Sequence, residues 1–512
     1  MRERRMLMTV GALVLLVVLA TPIGLAGAAG KQDLVVLLSR EFGHLDPVDL
    51  QASDQGILFH LIFSYLYRLN KDAVPVPDLV ESERIEKDNV TWTLTLKKGR
   101  TFHDGTPVNA DAVKHTIDRM VDPERKAPQR VLFAPIKEVR VRGEHTVQLV
   151  THQPFPALRY NLAHSNAVIL SPTADRKLGK DFGRNPVGSG PYRFVEWVAG
   201  QRIVLQRYDG GPGPRPYWET IIFKPVPDTV TRELLVEKGE ADVAVRVNPL
   251  DTARLSANKA VRLLVAEGAR NAFFQLNMTR PPTDNLKVRQ ALNYAVDKDA
   301  IIKVVLNGAG SPSRTVLEKP LLGSKAIGPY PYDPKKARQL LKEAGADGAT
   351  IDMVVSQGNH VQDAATGEAV ANYLKAVGLK VNLKVLGDQP AYVELMRRRE
   401  HSAAFIAWSP GTFDPDQVLR RLLWGENAGK PWNFGAFKDD AVDALIERAA
   451  GTLDPEARRA LYEEIQEKIF AQVPWIFLHR LNGVSLLRAD IDNLHVLPGV
   501  EILLIADARR TN

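Results

Sequence analysis

The chain has 512 residues, of which 45% are apolar and 25% charged, with a formal net charge of +7. A chain of this length is too long for a single hydrophobic core, so two or three domains are expected. The composition is that of a globular protein. The absence of cysteine excludes disulfides, thiolate metal sites, cysteine nucleophiles and a lipid-modified cysteine. No long run of Lys or Arg lies beyond the N-terminus, so no nucleic-acid partner is expected.

Residues 1–28 are predicted to be a signal peptide. A basic start precedes the apolar run VGALVLLVVLA (10–20), and Ala26, Gly27 and Ala28 provide the small residues of a cleavage site. The run is shorter than the ~20 residues that a membrane span needs, which favours cleavage after Ala28 over retention. Without a cysteine for lipid attachment, the exported chain is expected to be periplasmic and to have no lipid anchor.

The first half of the chain shows mainly strand patterns. KQDLVVLLSR (31–40) contains an apolar run typical of a buried strand, and TWTLTL from Thr91 alternates apolar and polar side chains. After the turn HDGTP (103–107), Asn109 is predicted to cap a helix. RIVLQRY (202–208) alternates again and ends in GGPGPRP, which breaks any regular element.

The second half alternates strands with helices. We predict strands at 273–277, 350–356, 379–386 and 403–408, with helices at 363–376 and 389–399 between the last three. Such alternation implies parallel strands joined by right-handed crossovers. Helices are also predicted at 439–450 and 455–472, and PWIFLH (474–479) gives a late strand.

Two loops leave the carboxyl ends of these predicted parallel strands. They are SQGNH (356–360) and the segment 409–416, which follows the strand ending at Trp408. Ligands of open α/β sheets gather at such ends. The two loops are therefore expected to border a ligand.

Several segments closely resemble the family 5 extracellular solute-binding proteins, the receptors of peptide, nickel and opine-type ABC importers. The segments that carry the resemblance, in the family's order, are WTLTLKKGRTFHDGTPVNADAVKHTIDRM (92–120), PVGSGPYRFVEWVAGQRIVLQRY (186–208), KGEADVAV (238–245), TDNLKVRQALNYAVDKDAII (283–302) and YDPKKARQLLKEAG (332–345). The resemblance covers essentially the whole mature chain. It implies an α/β, two-lobed periplasmic-binding-protein fold with hinge strands and an extra inserted domain, the large cluster C type.

The resemblance also implies a division into domains. Domain I is expected at 31–58, 186–270 and 480–512, and the inserted domain II at 59–185. Domain III is expected at 271–479, in agreement with the α/β pattern read from the residues. In PVGSGPY, Gly188 and Gly190 are expected to permit a positive φ or close backbone contact in a structural turn rather than to contact a ligand.

The resemblance directs attention to the loop after Trp408. Peptide-binding members hold the ligand's α-amino group with an aspartate about three residues after the equivalent tryptophan, and Gly411 stands there in this chain. Either Asp414 replaces that aspartate or the ligand has no ammonium group at this place. The predicted ligand-binding residues are Trp408, Phe413, Asp414, Asp416, Gly411, Asn433 and Asn277, with Trp424, Trp432 and Phe434 as further aromatic candidates.

The implied function is that of the substrate-binding component of an ABC importer, with a permease and an ATPase at the inner membrane as partners. A peptide is the expected solute, and a sugar, an opine, glutathione or a metal chelate is the alternative. No cofactor, no metal site and no enzymatic activity are predicted, and a monomer is expected. Two alternatives remain open: presentation of the ligand to a sensor, and a secreted hydrolase using Ser189, although no nucleophile motif accompanies that serine.

Overall fold

The structure, a computed structural model, describes residues 32–49, 55–211, 213–358, 362–499 and 502–511. The predicted signal peptide and its cleavage site lie outside the described residues, as do positions 359 and 360 of the predicted loop 356–360. Within the described part of the chain, no helix combines the length and the apolar character needed to cross a membrane.

The strands are numbered in chain order. They are β1 (Asp33–Leu38), β2 (Tyr67–Leu69), β3 (Pro75–Pro77), β4 (Val80–Ile85), β5 (Thr91–Leu96), β6 (Ile136–Gly143), β7 (Thr146–Thr151), β8 (Tyr192–Val198), β9 (Arg202–Arg207), β10 (Thr220–Pro225), β11 (Val243–Ala244), β12 (Val261–Leu276), β13 (Gly310–Pro312), β14 (Thr350–Ser356), β15 (Lys380–Leu386), β16 (Ala403–Trp408), β17 (Trp475–Arg488), β18 (Ile491–Asp492), β19 (His495–Val496), β20 (Leu503–Leu504) and β21 (Arg509–Arg510).

The α-helices are numbered in the same way. They are α1 (Gly56–Ile62), α2 (Ala110–Val121), α3 (Arg130–Phe133), α4 (Leu158–Leu162), α5 (Pro172–Leu178), α6 (Thr229–Glu237), α7 (Thr252–Ala257), α8 (Leu286–Ala295), α9 (Lys298–Val304), α10 (Pro334–Glu343), α11 (Asp363–Ala376), α12 (Gln389–Arg398), α13 (Pro415–Leu422), α14 (Asp440–Gly451) and α15 (Pro455–Gln472). Short 3₁₀ turns occupy Gly179–Arg184, Pro249–Asp251 and Gly425–Asn427.

One large sheet runs through both halves of the molecule, with the strand order β15-β14-β16-β12-β17-β11-β1-β10-β9-β8. Its centre is the antiparallel pair β12 and β17, which pass from one half to the other in opposite directions. We call the half with β1 and β8–β11 the first lobe, and the half with β14–β16 the second lobe. The predicted α/β architecture with two lobes and crossing strands is thereby confirmed.

The second lobe confirms the predicted parallel series. β14 pairs in parallel with both β15 and β16. Side chains of alternating residues leave the two faces of this sheet, and helices cover both. On one face α8, α10 and α11 pack on a core that includes Ala272 and Phe274, whereas on the other face α12–α15 pack against Ala404 and Ile406. The predicted strand 273–277 is only the end of the 16-residue strand β12, because its first part belongs to the other lobe.

The strand directions place the carboxyl ends of both lobes opposite each other. β16 is antiparallel to β12, so β14–β16 all run towards the first lobe. β11 is antiparallel to β17, and β1 and β10 follow its direction, so these strands run towards the second lobe. The gap between the two sets of strand ends lies beside the middle of β12 and β17.

The crossing pair is irregular at that middle point. The register of β12 against β17 shifts between Ala266, which faces Gly483, and Arg270, which faces Leu481. Three residues of β12 therefore oppose one residue of β17, which is a β-bulge and bends the strand. A Cβ on Gly268 would overlap with the carbonyl oxygen of Leu481, so the bulge requires glycine there. The bulge lies where the two strands pass from one lobe to the other.

The segment 59–185, predicted as the inserted domain II, carries a separate antiparallel sheet with the order β4-β5-β7-β6. A buried charge network joins this segment to the loop after β1. The Arg119 guanidinium on α2 donates to both carboxylate oxygens of Asp46 at 3.1 and 2.6 Å and lies 3.2 Å from Asp175. His115 lies 2.8 Å from the other oxygen of Asp175. The domain boundaries themselves stay a prediction.

The turn PVGSGPY packs its backbone against the end of α1. The Gly190 amide donates to the carbonyl oxygen of Ile62 at 2.9 Å, and the Ser64 hydroxyl donates to the carbonyl of Ser189 at 2.9 Å. A Cβ on Gly188 would overlap with the Ile62 carbonyl oxygen, and one on Gly190 with that of Leu61. Close backbone approach, rather than a positive φ, therefore explains both glycines.

We expect Gly188→Ala to destabilise the protein by roughly 1–3 kcal/mol or more, because the new methyl group must displace backbone and not a flexible side chain. Urea unfolding followed by circular dichroism measures the change. Gly143→Ala is the matched control, since a Cβ there meets nothing within 4 Å. Equal stability of the two variants would contradict the structural role of the turn.

Candidate ligand-binding cleft

The candidate site is the cleft between the facing strand ends of the two lobes. The first lobe contributes the loop after β1, residues 39–42, and the loop after β11, residues 245–248. The second lobe contributes residues 357–358 after β14 and the segment 409–414 after β16. Both predicted loops thus start at this edge, as far as they are described. Such facing strand ends are where ligands of this architecture bind.

An aromatic pair borders the second-lobe side. Trp408, at the end of β16, and Trp432 form an edge-to-face contact with ring centroids 4.9 Å apart. Trp432 has φ +82, and the residue is 37% exposed. Its carbonyl accepts from the Gln275 side chain at 3.0 Å, which holds this strained backbone in place. A strained residue that exposes a large aromatic ring is a candidate ligand contact, because burial does not explain its conformation.

Three predicted site residues are instead packed inside the second lobe. Phe413 is 2% exposed. Asn433 is fully buried, and its amide donates to the carbonyls of Trp424 and Phe437. Asn277 is 1% exposed, and its amide donates to the carbonyls of Arg399 and His401 at 3.0 Å. These contacts hold neighbouring loops together and give each amide group partners within the protein.

Asp414 is the residue that decides the electrostatics of this loop. It is the N-cap of α13 and accepts from the Asp416 amide at 3.0 Å. Its two carboxylate oxygens also receive the two arms of the Arg458 guanidinium from α15, at 2.5 and 2.8 Å. Both side chains are at most 3% exposed. Burial alone would lower the pKa of Arg458, but the adjacent Asp414 carboxylate raises it, so Arg458 keeps its positive charge at neutral pH.

The other acid of the loop is also paired. Asp416 lies 3.0 Å from the Arg420 guanidinium one turn further along α13. Burial raises the pKa of Asp416, and the charge of Arg420 opposes that rise. Gly411 is exposed, and its amide donates to the Gln417 side chain at 2.6 Å. The described part of segment 409–416 therefore presents no carboxylate that lacks a basic partner.

Sequence reasoning missed the basic residues at the cleft. Arg40 follows β1 and Arg246 follows β11, where it has φ +53; both side chains are exposed. Arg270 lies at the bulge of β12, and its Nε donates to the Ser409 hydroxyl at 2.9 Å. A signal existed for Arg40, which directly follows the predicted first strand. Nothing local indicates Arg246 and Arg270, because their positions depend on how distant strands pair.

The comparisons with known proteins agree with this geometry. Residues 74–430 match the family described as "Bacterial extracellular solute-binding proteins, family 5 Middle". The chain belongs to this family. The glutathione-binding protein GsiB of Pectobacterium atrosepticum is 33% identical to this family 5 protein over 505 residues, which cover 97% of this chain and 96% of GsiB.

Solved structures of known binding proteins share the fold. HbpA2 from Haemophilus parasuis superposes with a TM-score of 0.88 at 23% identity, covering 94% of this chain and 100% of HbpA2. The periplasmic binding protein DppA from Helicobacter pylori, in complex with the peptide STSA, gives a TM-score of 0.74 at 23% identity, covering 94% and 98%. The predicted periplasmic-binding-protein fold is confirmed.

Membership in family 5 confirms a transport receptor of an ABC importer and not an enzyme. The hydrolase alternative also fails on local grounds, because Ser189 is only 4% exposed, which leaves its hydroxyl out of reach of a substrate. Among the described residues, no three His, Asp or Glu side chains are grouped so that they could hold a metal ion.

We expect Asp414→Asn to lower the free energy of unfolding by roughly 3–5 kcal/mol, because it leaves the buried Arg458 charge without its partner. Urea unfolding measures the loss. Asp440→Asn is the control: its carboxylate is 93% exposed and 3.9 Å from Lys438, so its removal changes little. If Asp414→Asn keeps full stability and instead loses ligand affinity, Asp414 is a ligand contact as first predicted.

Proposed function

We propose that this family 5 protein captures a small, carboxylate-rich peptide in the periplasm and delivers it to an ABC permease, and that glutathione is the first candidate. The proposal includes an exported monomer whose signal peptide is removed and which carries no lipid anchor. It rests on the charge of the cleft, with the glutathione-binding relatives as support.

The observation that carries the proposal is the pairing of Asp414 with Arg458. A peptide held by its α-amino group needs a carboxylate that the protein itself leaves available. At the place where peptide-binding members are expected to supply one, this chain has Gly411, and the next two acids already face arginines. The segment therefore offers little to an ammonium group.

Positively charged side chains predominate elsewhere at the cleft. Arg40 and Arg246 follow the ends of β1 and β11, and Arg270 lies at the bulge of β12. A guanidinium matches a carboxylate with two parallel hydrogen bonds, which makes arginine the preferred side chain for such recognition. Glutathione has two carboxylates and a single ammonium group, so it is anionic at neutral pH. The pair Trp408 and Trp432 adds apolar surface for the remaining atoms of the ligand.

Residues from both lobes contribute to this site, which couples binding to lobe closure. Arg246 belongs to the first lobe and Trp408 to the second, and the bulge of β12 lies between them. A ligand that contacts both lobes favours the closed state by the difference in its affinity for the two states. Closure about hinge strands is a common form of such a change, and small-angle scattering detects it as compaction.

We expect Arg270→Gln to weaken glutathione binding about tenfold or more, because a hydrogen bond to a charged group contributes roughly 1.5–3 kcal/mol and tenfold corresponds to about 1.4 kcal/mol. Isothermal titration calorimetry measures the affinity. Arg338→Gln is the control, since it removes the same charge from the exposed face of α10. Native mass spectrometry of the purified protein tests for a co-purified ligand.

A comparison of ligands separates the proposal from ordinary peptide binding. Glutathione monoethyl ester keeps the size and the ammonium group but loses one carboxylate, so it should bind more weakly than glutathione. Triglycine, which also has one carboxylate, should likewise bind more weakly than glutathione. Tight binding of triglycine that is indifferent to Arg270→Gln, with no binding of glutathione, would overturn the proposed ligand class.

A further inference from the structure

A second concave site lies away from the cleft, where the segment 59–185 meets the first lobe. It is a cavity of about 410 Å³, with Pro191 in its wall. Pro191 directly precedes β8. The strand pairing places it beside the amino end of β1, since Tyr192 pairs with Arg207, Gln206 with Thr220, and Thr220 with Asp33. The cleft lies at the carboxyl end of β1. Because the six residues of β1 span about 20 Å, the two sites are about that far apart.

The cavity wall is predominantly basic. Arg68, Lys71, Lys97 and Arg100 line it, against the acids Asp78 and Asp507. The wall therefore has an excess of two positive charges. Like charges held around one concave surface repel each other, and an anionic ligand removes that cost.

Two of these cations have no partner within the part of the chain that the structure describes. Lys71 pairs with Asp72 at 3.1 Å, and the Lys97 ammonium donates to the Asp78 carbonyl at 2.6 Å. Across the described ranges, by contrast, the Arg68 and Arg100 guanidinium groups make neither a hydrogen bond nor an ion pair. Asp78 is occupied by the Tyr65 amide at 2.8 Å. Burial raises the pKa of Asp78, and the Tyr65 amide and the charges of Arg68, Lys97 and Arg100 oppose that rise. All three cations line the same cavity as Asp78.

An unsatisfied polar atom lies in the same wall. The Nε2 atom of His60 is buried and has no hydrogen-bond partner in the described part of the chain. The ring stacks on Tyr65 with centroids 4.9 Å apart, so its orientation is held. Burial, followed by the charge of Arg68, lowers the pKa of His60 to about 4, and the neutral ring can donate or accept one hydrogen bond at Nε2. Buried polar atoms without a partner are rare in proteins and call for one.

We propose that this cavity is a second ligand site, which binds a small organic anion with two carboxylate or phosphate groups through Arg68 and Arg100. Its volume is in the range of small-molecule sites. Each guanidinium can take one anionic group in a bidentate pair, and the apolar wall formed by Leu69 and Pro77 accommodates the carbon skeleton. The site is independent of the ligand proposed for the cleft.

The test is calorimetric titration of the full mature chain with succinate, citrate and glycerol 3-phosphate as probes. We expect saturable one-to-one binding of at least one probe. The variant Arg68→Gln with Arg100→Gln should weaken that binding at least tenfold. The matched control, Arg130→Gln with Arg176→Gln, removes two exposed charges outside the cavity and should change it less than twofold. Arg68→Gln alone, at an exposed position, serves if the double variant does not fold.

Four results would overturn the proposal. The first is that no probe binds in a saturable manner. The second is that both double variants weaken binding equally, which indicates a general effect of net charge. The third is that Arg270→Gln abolishes probe binding while Arg68→Gln has no effect, which places the anion in the cleft. The fourth comes from sedimentation with phosphatidylglycerol vesicles, which identifies the source of the anion. If the protein binds these vesicles but none of the small probes, and the binding depends on Arg68, the ligand is a lipid headgroup and not a small organic anion.

Discussion

The antiparallel pairing of β12 with β17 is the constraint on which the other features depend. These two strands carry one continuous sheet through both lobes, and every other strand of that sheet takes its direction from them. Because β11 and β16 each run antiparallel to a crossing strand, the carboxyl ends of the two lobes must face each other. The cleft is therefore a consequence of strand direction. The bulge at Gly268 interrupts the pairing where the strands cross between lobes, which allows bending there without loss of either core.

Buried ion pairs determine which charges remain for a ligand. The ion pair between Asp414 and Arg458 holds α13 against α15. The ion pair between Arg119 and Asp46 joins the inserted segment to the loop after β1. A buried charge that loses its partner is strongly destabilising, so these groups cannot also serve a ligand without weakening the fold. Asp414 and Asp416 are thus committed to structure. The anionic solute proposed above would take its charge partners from the arginines at the cleft.

Much of the second lobe could be predicted from residue patterns. The helix at 363–376 and the strands at 350–356 and 403–408 lie where the apolar periodicity indicates them, because these elements bury one face or both in the way that their spacing requires. The predicted helix cap at Asn109 accepts the expected amide hydrogen bond. The length of β12 was not evident, since its first part, around a bulge, shows no regular alternation. The pattern therefore indicated only its last four residues, from Phe273 to Leu276.

The sequence by itself determined the family, the parallel series of the second lobe and the loops at its strand ends, because these depend on neighbouring residues and on motifs with a fixed order. Only the tertiary structure decided which polar groups are available there. The partner of Asp414 lies 44 residues away on another helix, and Arg246 and Arg270 reach the same edge from different lobes. The spacing of residues along the chain does not indicate such pairs. A charged side chain is neutralised by the opposite charges that folding brings to within a few ångströms of it.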